Sequence, residues 1–298
     1  MARKSASSGT VDLFAPAIPV APENGSVLPQ GEITPTVFDL RHGDCVAGMA
    51  ELPDSSVDVV VTSPPYNIGI RYRSHDDDRP REEYLAWSEQ WAGQVQRVLK
   101  PEGSFFLNVA GSPANPWLPH ELVLRLRPLF TLQNTLHWVK SITVHPKTGP
   151  EVSAGHFKPI RGERFINDCH EYIFHLTKDG NVKLHRKAIG VKYVHKSNIG
   201  RWGHTEGEDK RCRGNNWFIP YKTIQSRDAE RPHPATFPAQ LAEWCVRLHG
   251  VRPDLVVMDP FFGLGHAGEG ARNAGASRCI GFEMDAEYLA EARARLGL

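Results

Sequence analysis

The 298-residue chain has no C-x-x-C pair, and its five cysteines, Cys45, Cys169, Cys212, Cys245 and Cys279, are scattered. That spacing indicates neither a disulfide framework nor a zinc site, and it suits a reducing, cytoplasmic compartment. Apolar runs of the roughly 20 residues that a membrane-spanning helix needs are also missing, so no such helix is expected. Residues 1–31 lack a continuous apolar stretch and are rich in Ser, Ala, Pro and Gly, which predicts a disordered tail rather than a signal peptide. Net charge is scarce: 35 Lys and Arg against 34 Asp and Glu leave +1, so charge over the whole chain does not itself indicate a polyanionic partner. Histidine is plentiful, but His170 and His175 stand five apart in a strand-like segment, and no metal is expected. The hydrophobic fraction of 40% is enough for one large α/β domain with a smaller insertion.

Two motifs carry chemistry. Ser63-Pro64-Pro65-Tyr66 follows the apolar run Val57–Val61, which places it where a buried parallel strand ends. Two adjacent prolines stiffen this loop at the carboxyl edge of a sheet, where open α/β folds bind ligands, although a rigid surface turn is equally compatible with four residues. The second motif begins at another buried strand, Leu255–Met258, and runs through Asp259-Pro260-Phe261-Phe262-Gly263-Leu264-Gly265-His266-Ala267-Gly268 into a helical stretch from Glu269. Strand, glycine loop and helix form a nucleotide-binding layout. A further strand, Arg278–Phe282, ends at Glu283, whose two carboxylate oxygens can accept from both hydroxyls of a ribose. An adenosine-bearing ligand is therefore expected.

Gly263, Gly265 and Gly268 also satisfy G-x-G-x-x-G, the pattern of nicotinamide-dinucleotide domains. Such a domain needs several further strand–helix units, and residues 284–298 supply one helix. The missing strand lies near the amino end: Val37–Leu40 runs into Arg41-His42-Gly43-Asp44, followed by a short helix and the strand leading to Ser63. Joined in that order, the units predict a doubly wound, mostly parallel sheet that has been circularly permuted. Its antiparallel edge is expected from Thr135–Val139 and Glu171–Thr177.

With His233-Pro234-Ala235-Thr236-Phe237-Pro238 ahead of the glycine-loop strand, residues 37–298 resemble the permuted β group of amino-methylating DNA methyltransferases. The resemblance implies a Rossmann-like methyltransferase fold, S-adenosylmethionine as cofactor and duplex DNA as partner. It assigns catalysis to Ser63, Pro64, Pro65 and Tyr66. Asp259, Phe261, Gly263 and Gly265 fall to the methionine part, Asp44 to the adenine amine and Glu283 to the ribose. Leu264 and His266 depart from the Ser and Thr usual there, which removes side-chain hydroxyls from the cofactor loop. Asp44 also suits a helix N-cap and Phe261 the core.

Serine before Pro-Pro-Tyr resembles the cytosine-N4 enzymes, aspartate there the adenine-N6 enzymes, and Asn67 is also common in adenine-type loops. Cytosine N4 is therefore the expected target, with adenine N6 as the alternative. Methylation of RNA or a protein amide, or a non-catalytic DNA-binding module, are further readings. A homodimer and a cognate restriction endonuclease are partners compatible with the family.

The chain divides into residues 1–31 as tail, 32–180 and 233–298 as catalytic domain, and 181–232 as a target-recognition region. In that last stretch basic residues outnumber acidic ones and Tyr193, Trp202 and Trp217 are interspersed, a mixture suited to phosphate and base contacts. Arg201, Arg211 and Arg213 are its candidate DNA contacts. Lys158 and Arg161 are candidates in a long basic loop from His145 to Asn167. Asp76-Asp77-Asp78, among Arg71, Arg73, Arg79 and Arg81, predicts a mobile charged lid after the catalytic loop. A helix over Tyr84–Leu99 is expected to end at Lys100-Pro101-Glu102-Gly103, before a strand over Ser104–Val109.

Overall fold

A computed structural model describes residues 35–67, 69, 77–146, 149–155, 157, 163–201, 205, 207–220 and 236–298. The strands are β1 (Val37–His42), β2 (Val57–Thr62), β3 (Leu99–Val109), β4 (Thr131–Val139), β5 (Ser141–Val144), β6 (Val152–Gly155), β7 (His170–Thr177), β8 (Asn216–Phe218), β9 (Val256–Asp259) and β10 (Arg278–Glu283). The helices are α1 (Cys45–Ala50), α2 (Arg81–Val98), α3 (Leu118–Arg125), α4 (Ser197–Arg201), α5 (Ala239–His249), α6 (His266–Ala274) and α7 (Ala286–Leu296).

Eight strands form one sheet in the order β1-β10-β9-β2-β3-β7-β4-β8. The permuted connection is borne out directly: β1 lies parallel to β10 from Val37↔Arg278 to His42↔Glu283. Strand β2 sits between β9 and β3, and all six of its residues are buried, as an unbroken valine run in a sheet covered on both faces requires. Met49, Trp91, Phe105 and Leu122 belong to the core on one face, under α1, α2 and α3. Val61, Leu241, Cys245, Ala271 and Leu296 belong to the core on the other, under α5, α6 and α7.

The antiparallel half is as expected, with β7 antiparallel to both β3 and β4. Beyond it lies β8, parallel to β4, which the sequence did not reveal because three residues are too short for a periodic signal. Trp217 on β8 is fully buried and Tyr193 is 7% exposed, so neither is available to read bases. Lys100–Gly103 are not a separate turn but a bulge inside β3, since Leu99 pairs with Val57 and Ser104 with Val59. The bulge delivers the Lys100 ammonium to within 2.8 Å of Asp58, a buried carboxylate that also binds Arg252 and the Val256 amide. Uncompensated, that charge would carry a large desolvation cost. Within the long basic loop, β6 pairs antiparallel with β5, the strand just before it. Of the two histidines weighed as metal ligands, His175 is buried, stacked on Phe106 and bonded to Ser104, with its pKa pushed down to about 3 by burial.

Helices α5 and α6 approach so closely that a methyl group on Gly270 would lie 2.5 Å from the Ala239 carbonyl and 2.7 Å from Ala242 Cβ. Gly93 on α2 faces open space. Gly270→Ala is therefore expected to lose about 1–3 kcal/mol of stability through overpacking. Gly93→Ala is expected to gain about 0.5–1 kcal/mol from reduced backbone entropy. Urea midpoints of the two variants check both signs.

Candidate active site

The sheet reverses direction of winding between β9 and β2, and a cleft partly open to solvent lies over their carboxyl ends. Four chain segments meet there. The turn after β2 brings Ser63, Pro64, Pro65 and Tyr66; the turn after β9 brings Asp259, Phe261 and Gly263; β10 ends in Glu283; and β1 leads to Asp44. Gly265 does not line the cleft. It is left-handed at φ 81°, and caps the start of α6, so its contribution is the turn that presents Gly263.

The acidic residues differ in their surroundings. Asp259 is 1% exposed, and burial pushes its pKa up to about 7 although the Thr62 hydroxyl (2.5 Å) and the Phe261 amide (2.9 Å) donate to it. Glu283 is also raised by burial, and its two oxygens accept from the amides of Gly263 and Asp285 at 2.7 and 2.8 Å. Each oxygen retains a second lone pair for a ligand. Asp44 caps α1 through the Ala47 amide (3.0 Å) and also lines the cleft. Phe261 likewise lines the cleft and packs edge-on against Trp91 and Trp87, at 5.3 and 5.6 Å between ring centroids. Three carboxyl groups, a glycine turn and an aromatic wall suit a ligand carrying hydroxyls, a planar base and positive charge. Cys45 also lines the cleft, but burial raises its thiol pKa and keeps it an unreactive thiol.

The Ser63–Tyr66 loop is braced from below. Tyr84 Oη donates to the Pro65 carbonyl at 2.9 Å. Asn67, left-handed at φ 54°, exchanges two hydrogen bonds with the Arg79 backbone, and its amide donates to Asp77 at 2.7 Å. Asp77 is 3% exposed and Arg79 stacks over Trp87 at 5.2 Å, so these two residues anchor the loop instead of forming the expected mobile lid. Arg71, Arg73 and Asp76 lie outside the described residues.

Four residues under the loop were not legible as site residues. Ser63 Oγ lies 2.6 Å from Tyr66 Oη, which donates to Glu171 Oε2 at 3.1 Å and accepts from Asn108 Nδ2 at 2.9 Å. Asn108 Nδ2 also donates to Glu171 Oε2 at 2.7 Å, and Lys140 pairs with Glu171 Oε1 at 3.2 Å. A lone Asn in the apolar run of β3 and a Glu inside β7 were the available signals. Trp87 gave none beyond its helical position.

Of the five expected DNA contacts, Arg201, Arg211 and Arg213 are among the described residues. Lys158 and Arg161 lie outside the described residues, as do Trp202 and His233-Pro234-Ala235. Arg201 and Arg211 are exposed. Arg213 is not: its guanidinium packs over Trp244 at 4.1 Å and donates to the Ile189 carbonyl, and burial lowers its pKa. After β7, at the end of the strand away from the cleft, the chain touches α5 at two described points, where the His185 amide donates to the Leu248 carbonyl and Arg213 covers Trp244.

Comparison with known proteins gives a consistent result. A protein-family model described as DNA methylase matches residues 57–294. The chain is 31% identical to "Type II methyltransferase M.BglII" of Bacillus subtilis, covering 86% of this chain and 69% of that one. It is 30% identical to "Type II methyltransferase M.ScaI" of Streptomyces caespitosus, covering 86% and 80%. Among solved structures, the cytosine-N4-specific PvuII DNA methyltransferase shares the fold with a TM-score of 0.62 at 21% identity, covering 88% and 87%. A putative DNA modification methylase from Thermus thermophilus, complexed with S-adenosyl-L-methionine, superposes with a TM-score of 0.58 at 25% identity, covering 88% and 93%.

Proposed function

This chain belongs to the N6/N4 family of DNA methylases, and on that premise we propose that it methylates the exocyclic N4 amine of a cytosine flipped out of duplex DNA. The cofactor is S-adenosylmethionine, whose sulfonium supplies an activated methyl group when bound. Asp259 would hold its α-ammonium, Glu283 its ribose hydroxyls and Asp44 its adenine amine, all three being carboxylates on one cleft. No metal enters this scheme.

The observation that carries the reading is the shared cleft: the Ser63 hydroxyl and Pro64 line the same space as Asp259 and Glu283. The exocyclic amine is a weak nucleophile because its lone pair is delocalised into the ring. Ser63 Oγ and the Pro64 carbonyl would accept its two protons and turn the lone pair out of conjugation. The Pro65 carbonyl is engaged by Tyr84, so the backbone acceptor falls to Pro64. Tyr66 would stack against the target base. The remaining work is positioning, for which a loop anchored at Pro65 and Asn67 is suited.

Adenine N6 is the competing target. Its one sequence indicator here, Asn67, is occupied in bracing the Arg79 backbone, which favours cytosine. The test is to incubate the protein with labelled S-adenosylmethionine and unmethylated genomic DNA, digest to nucleosides and identify the product by mass spectrometry. N4-methylcytosine is expected. N6-methyladenine would overturn the base assignment, and methylation confined to RNA of the same sequence would overturn the DNA substrate.

A further inference from the structure

Beneath the catalytic loop, a chain of polar groups leads away from the cleft from Ser63, and its members beyond the loop have no role in holding the cofactor or in accepting the amine. Its members come from four places: Ser63 and Tyr66 on the loop, Asn108 near the end of β3, Glu171 at the start of β7 and Lys140 just beyond β4. Asn108 is 1% exposed, and the side chains of Glu171 and Lys140 are 13% and 20% exposed. An interior carboxylate beside a reacting centre carries a desolvation cost that the architecture has to offset. Here Lys140 takes Oε1, while Asn108 and Tyr66 both donate to Oε2.

The hydrogen-bond directions are constrained. Asn108 must point Nδ2 at Glu171, because the reversed amide would set its carbonyl against the carboxylate. Tyr66 Oη then accepts from Asn108 Nδ2 (2.9 Å), and of the two acceptors its single proton can reach, the Asn108 backbone carbonyl at 3.3 Å and Glu171 Oε2 at 3.1 Å, the nearer, charged carboxylate takes it. With that proton committed, the 2.6 Å contact between Tyr66 Oη and Ser63 Oγ requires Ser63 to donate. The Ser63 oxygen is left with lone pairs for an incoming N–H. The result is one oriented row, Ser63 to Tyr66 to Glu171, with a carboxylate at its far end.

We propose that Glu171 is the terminal proton acceptor and positioning residue of the methyl-transfer site, acting on the target amine through Tyr66 and Ser63. The inference rests on the function proposed above. Once the amine lone pair has formed its bond to the methyl carbon, the nitrogen carries a positive charge and one proton too many. That proton passes to Ser63 Oγ as the Ser63 proton passes to Tyr66 Oη and the Tyr66 phenolic proton to Glu171 Oε2. The products are a neutral methylamino group, an unchanged serine and tyrosine, and a carboxylic acid at Glu171. Before transfer, the same row makes Ser63 Oγ a better acceptor, since each hydrogen bond polarises the next. Lys140 pairs with Oε1 and so fixes Oε2 as the oxygen that faces Tyr66.

The test compares wild type, Glu171→Gln and Tyr66→Phe in single-turnover methylation of duplex DNA, in ordinary and in heavy water, with cofactor binding measured separately by calorimetry. Glutamine preserves the size and acceptor carbonyl of Glu171 without its charge; phenylalanine preserves the Tyr66 ring without its hydroxyl. Both variants are expected to slow transfer by about tenfold or more and to show a larger solvent isotope effect than wild type, because proton removal becomes limiting. Cofactor affinity is expected to stay within about twofold, which separates the relay from collapse of the loop. A wild-type rate in Glu171→Gln overturns the relay, as does a slowed rate with an unchanged isotope effect. A wild-type protein that binds S-adenosylmethionine but methylates no DNA overturns the parent reading instead.

Discussion

Ser63→Ala is expected to lower the single-turnover methylation rate on the order of 10³-fold, while cofactor affinity stays within about twofold. The asymmetry follows from what Ser63 touches. Its hydroxyl contacts Tyr66 and, at 3.5 Å, Asn108 Nδ2, whereas Asp259 is bonded by Thr62 and Phe261, and Glu283 by Gly263 and Asp285. Alanine removes an acceptor for the target amine without disturbing a cofactor-binding carboxylate. The Pro64 carbonyl alone then engages the amine, and the lone pair remains largely conjugated. The loss therefore falls on the rate and not on binding. Rapid-quench methylation and calorimetry on one preparation measure the two quantities, and an unchanged rate would remove Ser63 from the chemistry.

The second large effect is at Asp259. Removing one partner of a buried, hydrogen-bonded charge pair typically costs about 2–5 kcal/mol, so Asp259→Asn is expected to weaken S-adenosylmethionine binding about 30-fold or more. The wild-type protein should display the same group through pH. In the free protein burial holds the Asp259 carboxyl at about 7, and a bound ammonium favours the ionised form. Affinity is therefore full above 7 and falls as pH drops below it, by up to about tenfold per unit. The ligand's α-ammonium stays protonated below roughly 7.7, so it does not reverse that sign. Glu283, also raised by burial, adds in the same direction. In Asp259→Asn the steep part of this dependence should disappear. Calorimetric titrations from about pH 5.5 to 7.5 decide it; a flat wild-type profile would place the ammonium elsewhere.

The parts of the fold legible in the sequence were those whose signal is local. An all-apolar strand followed by a rigid or glycine-rich turn reveals itself within about ten residues, and two such units, with Glu283 and Asp44 ending two further strands, located the cofactor cleft and the permutation. Residues that depend on pairing between distant strands stayed hidden. Nothing near Asn108 announces that it faces Glu171; the antiparallel register that sets Asn108 against Ile173 brings β7 alongside β3. Composition misled in the region after β7. Trp217 looked like a nucleic-acid contact, but it fills the core beside β4, because large amphipathic side chains serve packing as readily as recognition. Asp77 was misread for a similar reason, since a run of aspartates gives no hint that one will turn inward to hold the Asn67 amide.

The pairing of β1 with β10 also sets a schedule for the ribosome. Val37 is made about 240 residues before Arg278, its sheet partner, and β2 precedes its neighbour β9 by almost as long. From the synthesis of Tyr66 until Asp259 is made, the nascent chain holds Ser63 and Tyr66 but neither Asp259 nor Glu283. It also exposes one edge of a valine-rich strand, a surface prone to pair with other chains. Loop-closure entropy over such separations makes completion of the sheet slow. The methyl-transfer site is thus assembled last, from the two ends of the sheet's sequence, and a truncated product would carry the catalytic loop without the means to load it.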